Sequence, residues 1–214
     1  MIYLQQTFDL APASPATRDR FVEHAVGTLV PAWAELGGRL KGAFFSTEEW
    51  FYQVAHVLAF DDLAAFDRAR VRIERDPAFA AVREVNEALA PVRGDRLLEA
   101  LGPVAEAKLD EGIARAAEEP AGEYSFAILE VAPGRMEDFK KLLSMGAPNL
   151  PILASWREVA GQPARVVDLW RGNPAQAAYA PNAPGLEAFF GPLREVAPRE
   201  RIMRLFPMPY SPLA

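Results

Sequence analysis

The apolar positions change period several times along the chain, and each change marks an element. Residues 2–10 are rich in β-formers and alternate loosely, which predicts a strand. Phe21, Ala25, Leu29, Trp33 and Leu36 then recur at spacings of three and four, one face of a helix over 15–36. Gly37-Gly38 ends that helix, and Pro31 inside it predicts a kink because proline lacks the backbone donor and crowds the preceding turn. Strands are predicted over 39–46 and 51–60, on either side of the turn STEEW. Asp61 or Asp62 caps a helix carrying Leu63, Phe66 and Ile73, and Asp76-Pro77 restarts a second one with Phe79, Val82, Val85 and Leu89. A last strand falls near 95–101.

The same order recurs in the second half. FDLAP (8–12) aligns with LEVAP (129–133) when Tyr3 is set on Tyr124, an offset of 121. VAHVLAFDD (54–62) falls on VVDLWRGNP (166–174), VREV (82–85) on LREV (193–196), and RLLEALGP (96–103) on RIMRLFPM (201–208). The offsets shrink through 112 and 111 to 105, as extra loop residues in the first copy would produce. The region 173–198 carries five prolines, which excludes one continuous helix and predicts a short helix plus loop. Residues 103–122 place Ala105, Leu109, Ile113 and Ala116 on a thin apolar stripe, a surface linker helix. The expected organisation is therefore a first repeat over 1–102, a linker over 103–122 and a second repeat over 123–214.

Each copy reads strand, helix, strand, strand, helix, strand. That βαββαβ order makes a ferredoxin-like antiparallel sheet with both helices on one face and the other face apolar and uncovered. Two copies in one chain solve the exposure by packing sheet to sheet. The expected fold class is α+β: two tandem ferredoxin-like repeats forming an intramolecular dimeric α+β barrel.

Residues 29–77, LVPAWAELGGRLKGAFFSTEEWFYQVAHVLAFDDLAAFDRARVRIERDP, resemble the NIPSNAP family, and the closing LFPMPYSPLA is similar to that family's terminal P-F-S-P-L signature. The resemblance places His56 at the family's strand histidine. It implies the dimeric α+β barrel, often as two copies in one chain, and no generally established enzymatic activity. The chain departs from the family pattern at Tyr52, where asparagine is usual, and at Leu58, where tryptophan is usual; the second copy has Asp168 at the histidine position and keeps Trp170.

Composition narrows the chemistry. Half the residues are hydrophobic, and no apolar run approaches the roughly 18 residues that a membrane span needs. MIYLQQTFDL lacks a basic n-region with an apolar h-region, so a cytoplasmic location is expected. A net charge of −6 with scattered Lys and Arg argues against nucleic acid. Without cysteine there is no thiolate ligand or nucleophile, and neither a metal site nor a cofactor is expected.

The candidate site residues come from β alternation. Tyr52, Val54, His56, Leu58 and Phe60 share a face, with Ala164, Val166, Asp168, Trp170 and Gly172 as the pseudo-symmetric set. If that face lines the space between the sheets, His56 and Asp168 meet, as an acid/base pair or as a structural polar link. Tyr3, Tyr52, Tyr124 and Trp170, with Trp50 and Trp156, either line a ligand pocket or are plain core. Arg39 and Arg157, near the start of the second strand of each copy, are surface residues or carboxylate clamps. His24 lies between apolar helix positions, with haem ligation conceivable but supported by nothing else in the sequence. Two functional classes follow. One is a NIPSNAP-like protein of unassigned role that binds a small hydrophobic ligand or a protein partner through the barrel. The other is a cofactor-independent monooxygenase or isomerase acting on a small hydrophobic or aromatic compound, with His56 as acid/base and Asp168 orienting it. Either is compatible with pairing of the chain into a homodimer.

Overall fold

The computed structural model describes residues 1–173 and 186–214. Strand β1 (Ile2–Asp9) leads to helix α1 (Pro15–His24), where the Ser14 hydroxyl accepts the Thr17 N–H at 3.1 Å and Pro15 opens the first turn. Instead of one kinked helix, the segment runs α1, a π-helical turn over Ala25–Leu29, and α2 (Val30–Glu35). Here the Val30 N–H reaches back to the Ala25 carbonyl, and the widened turn accommodates Pro31 in the next position. Gly37, at φ 85°, then turns the chain into β2 (Arg39–Ser46), followed by β3 (Gln53–Phe60). Asp62 caps α3 (Leu63–Arg75) by accepting the Ala65 N–H at 2.7 Å. Asp76 accepts from Ala78 and starts a short 3-10 turn into α4 (Ala80–Leu89), ahead of β4 (Val92–Ala100).

The second half contains α5 (Ala107–Glu118), β5 (Tyr124–Glu130), α6 (Met136–Gly146), β6 (Ile152–Glu158), β7 (Arg165–Arg171), α7 (Leu186–Val196) and β8 (Arg199–Pro207). The short helix expected within 173–198 is α7, which contains Pro192; residues 174–185 lie outside the described residues. The linker helix α5 is more than a surface spacer. Leu109 and Ala116 are buried, and Lys108 Nζ donates to the Ala147 and Leu150 carbonyls at 2.8 and 3.1 Å. Gly112 rests on Leu153 so closely that a Cβ would come within 2.8 Å of the leucine Cδ2.

The strand pairings record the duplication residue by residue. Tyr3 pairs with Ala59 and Tyr124 with Arg171; Gln6 pairs with His56 and Ala127 with Asp168. Even the irregularity is copied: β2–β3 slips between Leu40 and Gly42, and β6–β7 slips between the equivalent Ile152 and Ala154. The last strand corrects the sequence alignment. Glu99 and Ala100 pair with Arg157 and Trp156 as Phe206 and Pro207 pair with Phe45 and Phe44, so the offset there is 107 rather than 105. The last helix corrects it too, by one turn. The Ala11 and Ala132 amides bond the Leu89 and Val196 carbonyls, which again gives 107 and not 111.

The fold is α+β with an eight-stranded antiparallel barrel, strand order β1-β3-β2-β8-β5-β7-β6-β4. Contacts divide the chain into two compact units, residues 1–97 with 206–214, and residues 98–205. These differ from the boundaries drawn on the sequence because the end of β8 pairs within the first unit and the end of β4 within the second. In the first unit, one sheet face packs under α1 to α4 through Leu4, Phe8, Val54, Leu58, Phe21 and Trp33. In the second, Leu129, Val166 and Trp170 pack under α6 and α7 with Phe139, Leu143 and Phe190. No helix among the described residues is long and apolar enough to cross a membrane.

Candidate functional site

His56 lies on the helix-covered face of the first unit, with Val54, Leu58 and Phe60, and is fully buried. Its Nε2 shares a 2.7 Å hydrogen bond with the Tyr210 hydroxyl, and the Phe8 and Phe21 rings stand 5.2 and 6.0 Å away. Nδ1 has no partner. Burial pushes the imidazole down to about 3, so the ring is neutral at ordinary pH, and burial also raises the Tyr210 phenol. The bond fixes the terminal segment, where Met208 N–H donates to the Ala43 carbonyl at 2.9 Å and Ala43 N–H to Ser211 Oγ at 3.0 Å.

Asp168 occupies the matching place in the second unit, buried between Val166 and Trp170 on the face that α6 and α7 cover. The expectation that the His56 and Asp168 faces line the space between sheets is therefore corrected. Each residue points under the helices of its own unit. Burial pushes the Asp168 carboxyl up to about 7; the Ser155 hydroxyl directly across the ladder opposes this shift, and the charge of Glu200 adds to it. That hydroxyl favours the ionised form without reaching hydrogen-bond geometry, and among the described residues neither Ser155 Oγ nor Asp168 Oδ1 has a hydrogen-bond partner.

The remaining candidates do not converge. Tyr3 and Tyr124 are buried, but by alternation they lie on the sheet faces opposite His56 and Asp168. Tyr52, at φ 70°, packs its ring on Phe45 and Phe51. Trp170 is core, with an unpaired Nε1. Arg39 bonds Asp61 at 2.8 Å on the surface, and Arg157 pairs with Glu99. His24 shares a 2.9 Å hydrogen bond with Asn86 Oδ1, and burial lowers its pKa.

The sequence reading missed a pocket that joins buried polar groups to an apolar wall. A cavity of about 370 Å³ lies in the first unit between β1 and the helices. Its apolar wall is formed by Leu4, Leu29, Phe66, Ile73 and Val82; Gln6, Trp33, Asn86 and Asp95 supply its polar groups. Gln6 Nε2 donates to Asp95 Oδ1 at 3.1 Å, which leaves Gln6 Oε1 unpaired. Trp33 Nε1 is a buried donor without an acceptor among the described residues. His24 engages the Asn86 oxygen and so orients that amide. Burial raises the Asp95 pKa, against the pull of Gln6 and Arg93.

Arg70, Glu74, Arg83 and Arg93 also line the pocket. Arg70 is held by Asp67 and Glu74, and Arg83 by the Ile73 and Asp76 carbonyls. Its amides, indole and carboxylates have the groups to bind and orient a molecule. A signal did exist in the sequence. Gln6 interrupts Leu4 and Phe8 on one strand face, and Asn86 interrupts Val82 and Leu89 on one helix face.

The NIPSNAP family profile matches residues 7–95. No curated protein matches the chain in sequence. Among solved structures, the chain is similar to a proposed monooxygenase of Fusobacterium nucleatum subsp. nucleatum, at 10% identity and TM-score 0.61 over 96% of this chain and 91% of that one. It is also similar to a proposed monooxygenase of Lactobacillus acidophilus, at 13% identity and TM-score 0.59 over 96% and 93%. A mutant chlorite dismutase of Candidatus Nitrospira defluvii aligns at 9% identity and TM-score 0.55 over 97% and 91%. At these identities the likeness carries the fold alone, the dimeric α+β barrel. Residues 7–95 carry the match to the NIPSNAP family model, and the second repeat lies outside it.

Proposed function

We propose that the first unit binds a small amphipathic molecule in the pocket between β1 and the helices. The observation that carries this reading is the pairing of an apolar wall with two buried, unpaired polar atoms, Gln6 Oε1 and Trp33 Nε1, on residues lining a cavity of about 370 Å³. A buried polar atom without a partner costs on the order of 1–3 kcal/mol, which a ligand group would recover. The complementary head is neutral and carries one acceptor, for Trp33 and the Asn86 amide, and one donor, for Gln6. The body is a ring or short chain packed on Leu4, Leu29 and Phe66. The alternative, a cofactor-independent monooxygenase or isomerase, draws no support from His56, which is neutral, enclosed by aromatic rings and already bonded to Tyr210.

Benzamide, an apolar ring with a neutral donor and acceptor, is a direct probe. In a protein labelled with ¹⁵N at tryptophan, it should move the Trp33 indole resonance saturably. Gln6→Leu and Asn86→Leu should each weaken that response at least about tenfold, the loss of one good hydrogen bond. A Trp33 resonance that stays fixed up to the solubility limit would overturn the proposal.

A further inference from the structure

The duplication makes the two units each other's control. With the offsets fixed by strand pairing and by the Ala11 and Ala132 amide bonds, Gln6, Asp95 and Asn86 of the first unit correspond to Ala127, Ile202 and Leu193 of the second. Ala127 and Ile202 are register partners, and Ala127 and Leu193 belong to the buried core of their unit. The same architecture therefore closes with three apolar residues at this place. The polar set beside the pocket is a feature of the first unit alone, held there although buried amide groups left unpaired cost stability.

Both amides of that set are held from behind. His24 Nε2–H donates to Asn86 Oδ1 at 2.9 Å and leaves the Asn86 N–H groups for the pocket. Asp95 Oδ1 accepts from Gln6 Nε2 at 3.1 Å and leaves the Gln6 oxygen. The two anchors answer a proton differently. An imidazole that gains one is still a donor at Nε2, so Asn86 keeps its orientation. A carboxylate only accepts, whereas a carboxylic acid also donates. Turning the Gln6 amide over would set its oxygen against an ionised Asp95, which is unfavourable; against a protonated Asp95 it would make a hydrogen bond. Asp95 keeps one side in contact with solvent, through which it exchanges protons, while burial of the rest raises its pKa. The charges that share the pocket with it are Arg93 on its own strand, Arg70 and Glu74 of α3 and Arg83 of α4; Arg93 lowers that pKa and Glu74 raises it.

We infer, on the reading that this pocket binds a small amphipathic molecule, that Asp95 determines which molecules it takes. Ionised, Asp95 locks the Gln6 oxygen toward the ligand, and the pocket selects a head with one donor beside one acceptor. Protonated, it releases the amide to turn, and a head with two acceptors fits the same place. Asn86 and Trp33 offer donors in both states, so the acceptor end of the ligand is read the same way throughout. Asp95 is thus a positioning residue, acting through Gln6, and it makes the selectivity of the pocket depend on pH.

The test compares benzamide, which has a donor and an acceptor, with nitrobenzene, which has nearly the same shape and two acceptors. Both are titrated into the full chain labelled with ¹⁵N at tryptophan, with the Trp33 indole resonance as the readout. The preference for benzamide should fall at least about tenfold between about pH 7.5 and about pH 4, the worth of one good hydrogen bond. Asp95→Asn, which can accept or donate at every pH, should show the reduced preference throughout and no pH dependence. Gln6→Leu should also remove the pH dependence, because no amide remains to turn. Ligands that shift Trp33 with a preference that neither pH nor Asp95→Asn changes would overturn the role of Asp95 and leave the pocket standing. A Trp33 resonance that neither ligand moves would overturn both. Should Asp95→Asn fail to fold, the pH series on the unaltered chain still decides.

Discussion

Replacing Asp168 by asparagine should change how stability depends on pH, and the sign follows from the site. Burial pushes this carboxyl up to about 7, against about 3.9 in an unfolded chain. The folded state therefore holds a proton that the unfolded state releases. The associated stability is fully present below pH 4 and is lost as pH rises through 7, at about 1.4 kcal/mol per pH unit for one proton. Over roughly three units this amounts to about 4 kcal/mol. His56 acts in the opposite direction: burial lowers it to about 3 from about 6.5, so its contribution is present above pH 6.5 and is lost as pH falls toward 3. Between about pH 4 and 6.5 the two slopes oppose each other at nearly equal size, and the native protein should show little net dependence from this pair. Asparagine mimics the protonated carboxyl and titrates nowhere in this range. Guanidinium unfolding followed by circular dichroism from pH 4 to 8 should show the variant gaining on the native protein by about 4 kcal/mol across the range. The difference at each pH cancels every other titrating group. A constant difference from pH 4 to 8 would refute the placement of Asp168 as a protonated buried acid.

Tyr210→Phe should cost about 1–3 kcal/mol in denaturant unfolding, because it strips His56 of its one hydrogen bond. Adding His56→Phe should recover part of that loss; a double variant worse than the sum of the singles would refute the account. Gly42→Ala should destabilise by about 1–3 kcal/mol, since its Cβ would stand 2.7 Å from the fully buried Phe44 ring; an unchanged melting temperature would show that the ring can yield. Truncation after Pro207 should destabilise the first unit more than either point change, as it removes both the Tyr210 and Ser211 anchors, and limited proteolysis of residues 1–97 should report it.

What the sequence made legible was local. Asp62 and Asp76 announce helix starts because an acceptor one to three residues ahead of free amides works within one turn. The duplication was legible because strand registers cannot drift without turning a buried face outward. The orientation of His56 was hidden for a definite reason: every residue of Gln53–Phe60 is buried, so alternation separates the two faces of β3 without telling which one lies under the helices. Its partner was hidden by distance, since Tyr210 is 154 residues away along the chain. Gln6 and Asn86 could have been found as polar residues on apolar faces. His56 on β3 breaks the apolar pattern in the same way, and it drew attention because its chemistry is more familiar.

The terminal PMPYSPL segment follows β8 alone, and topology explains why it is not repeated after β4. The chain leaving β4 must continue into α5, so Leu101 N–H donates to the Ser155 carbonyl, as Met208 N–H does to the Ala43 carbonyl, and the chain then turns away at Gly102. After β8 the chain instead folds back as Pro209-Tyr210-Ser211 and seats a phenol beside the central strand. In the first copy that phenol is the hydrogen-bond partner of the buried histidine. An aspartate raised to about 7 is a different solution at the same position: it sheds its charge by holding a proton.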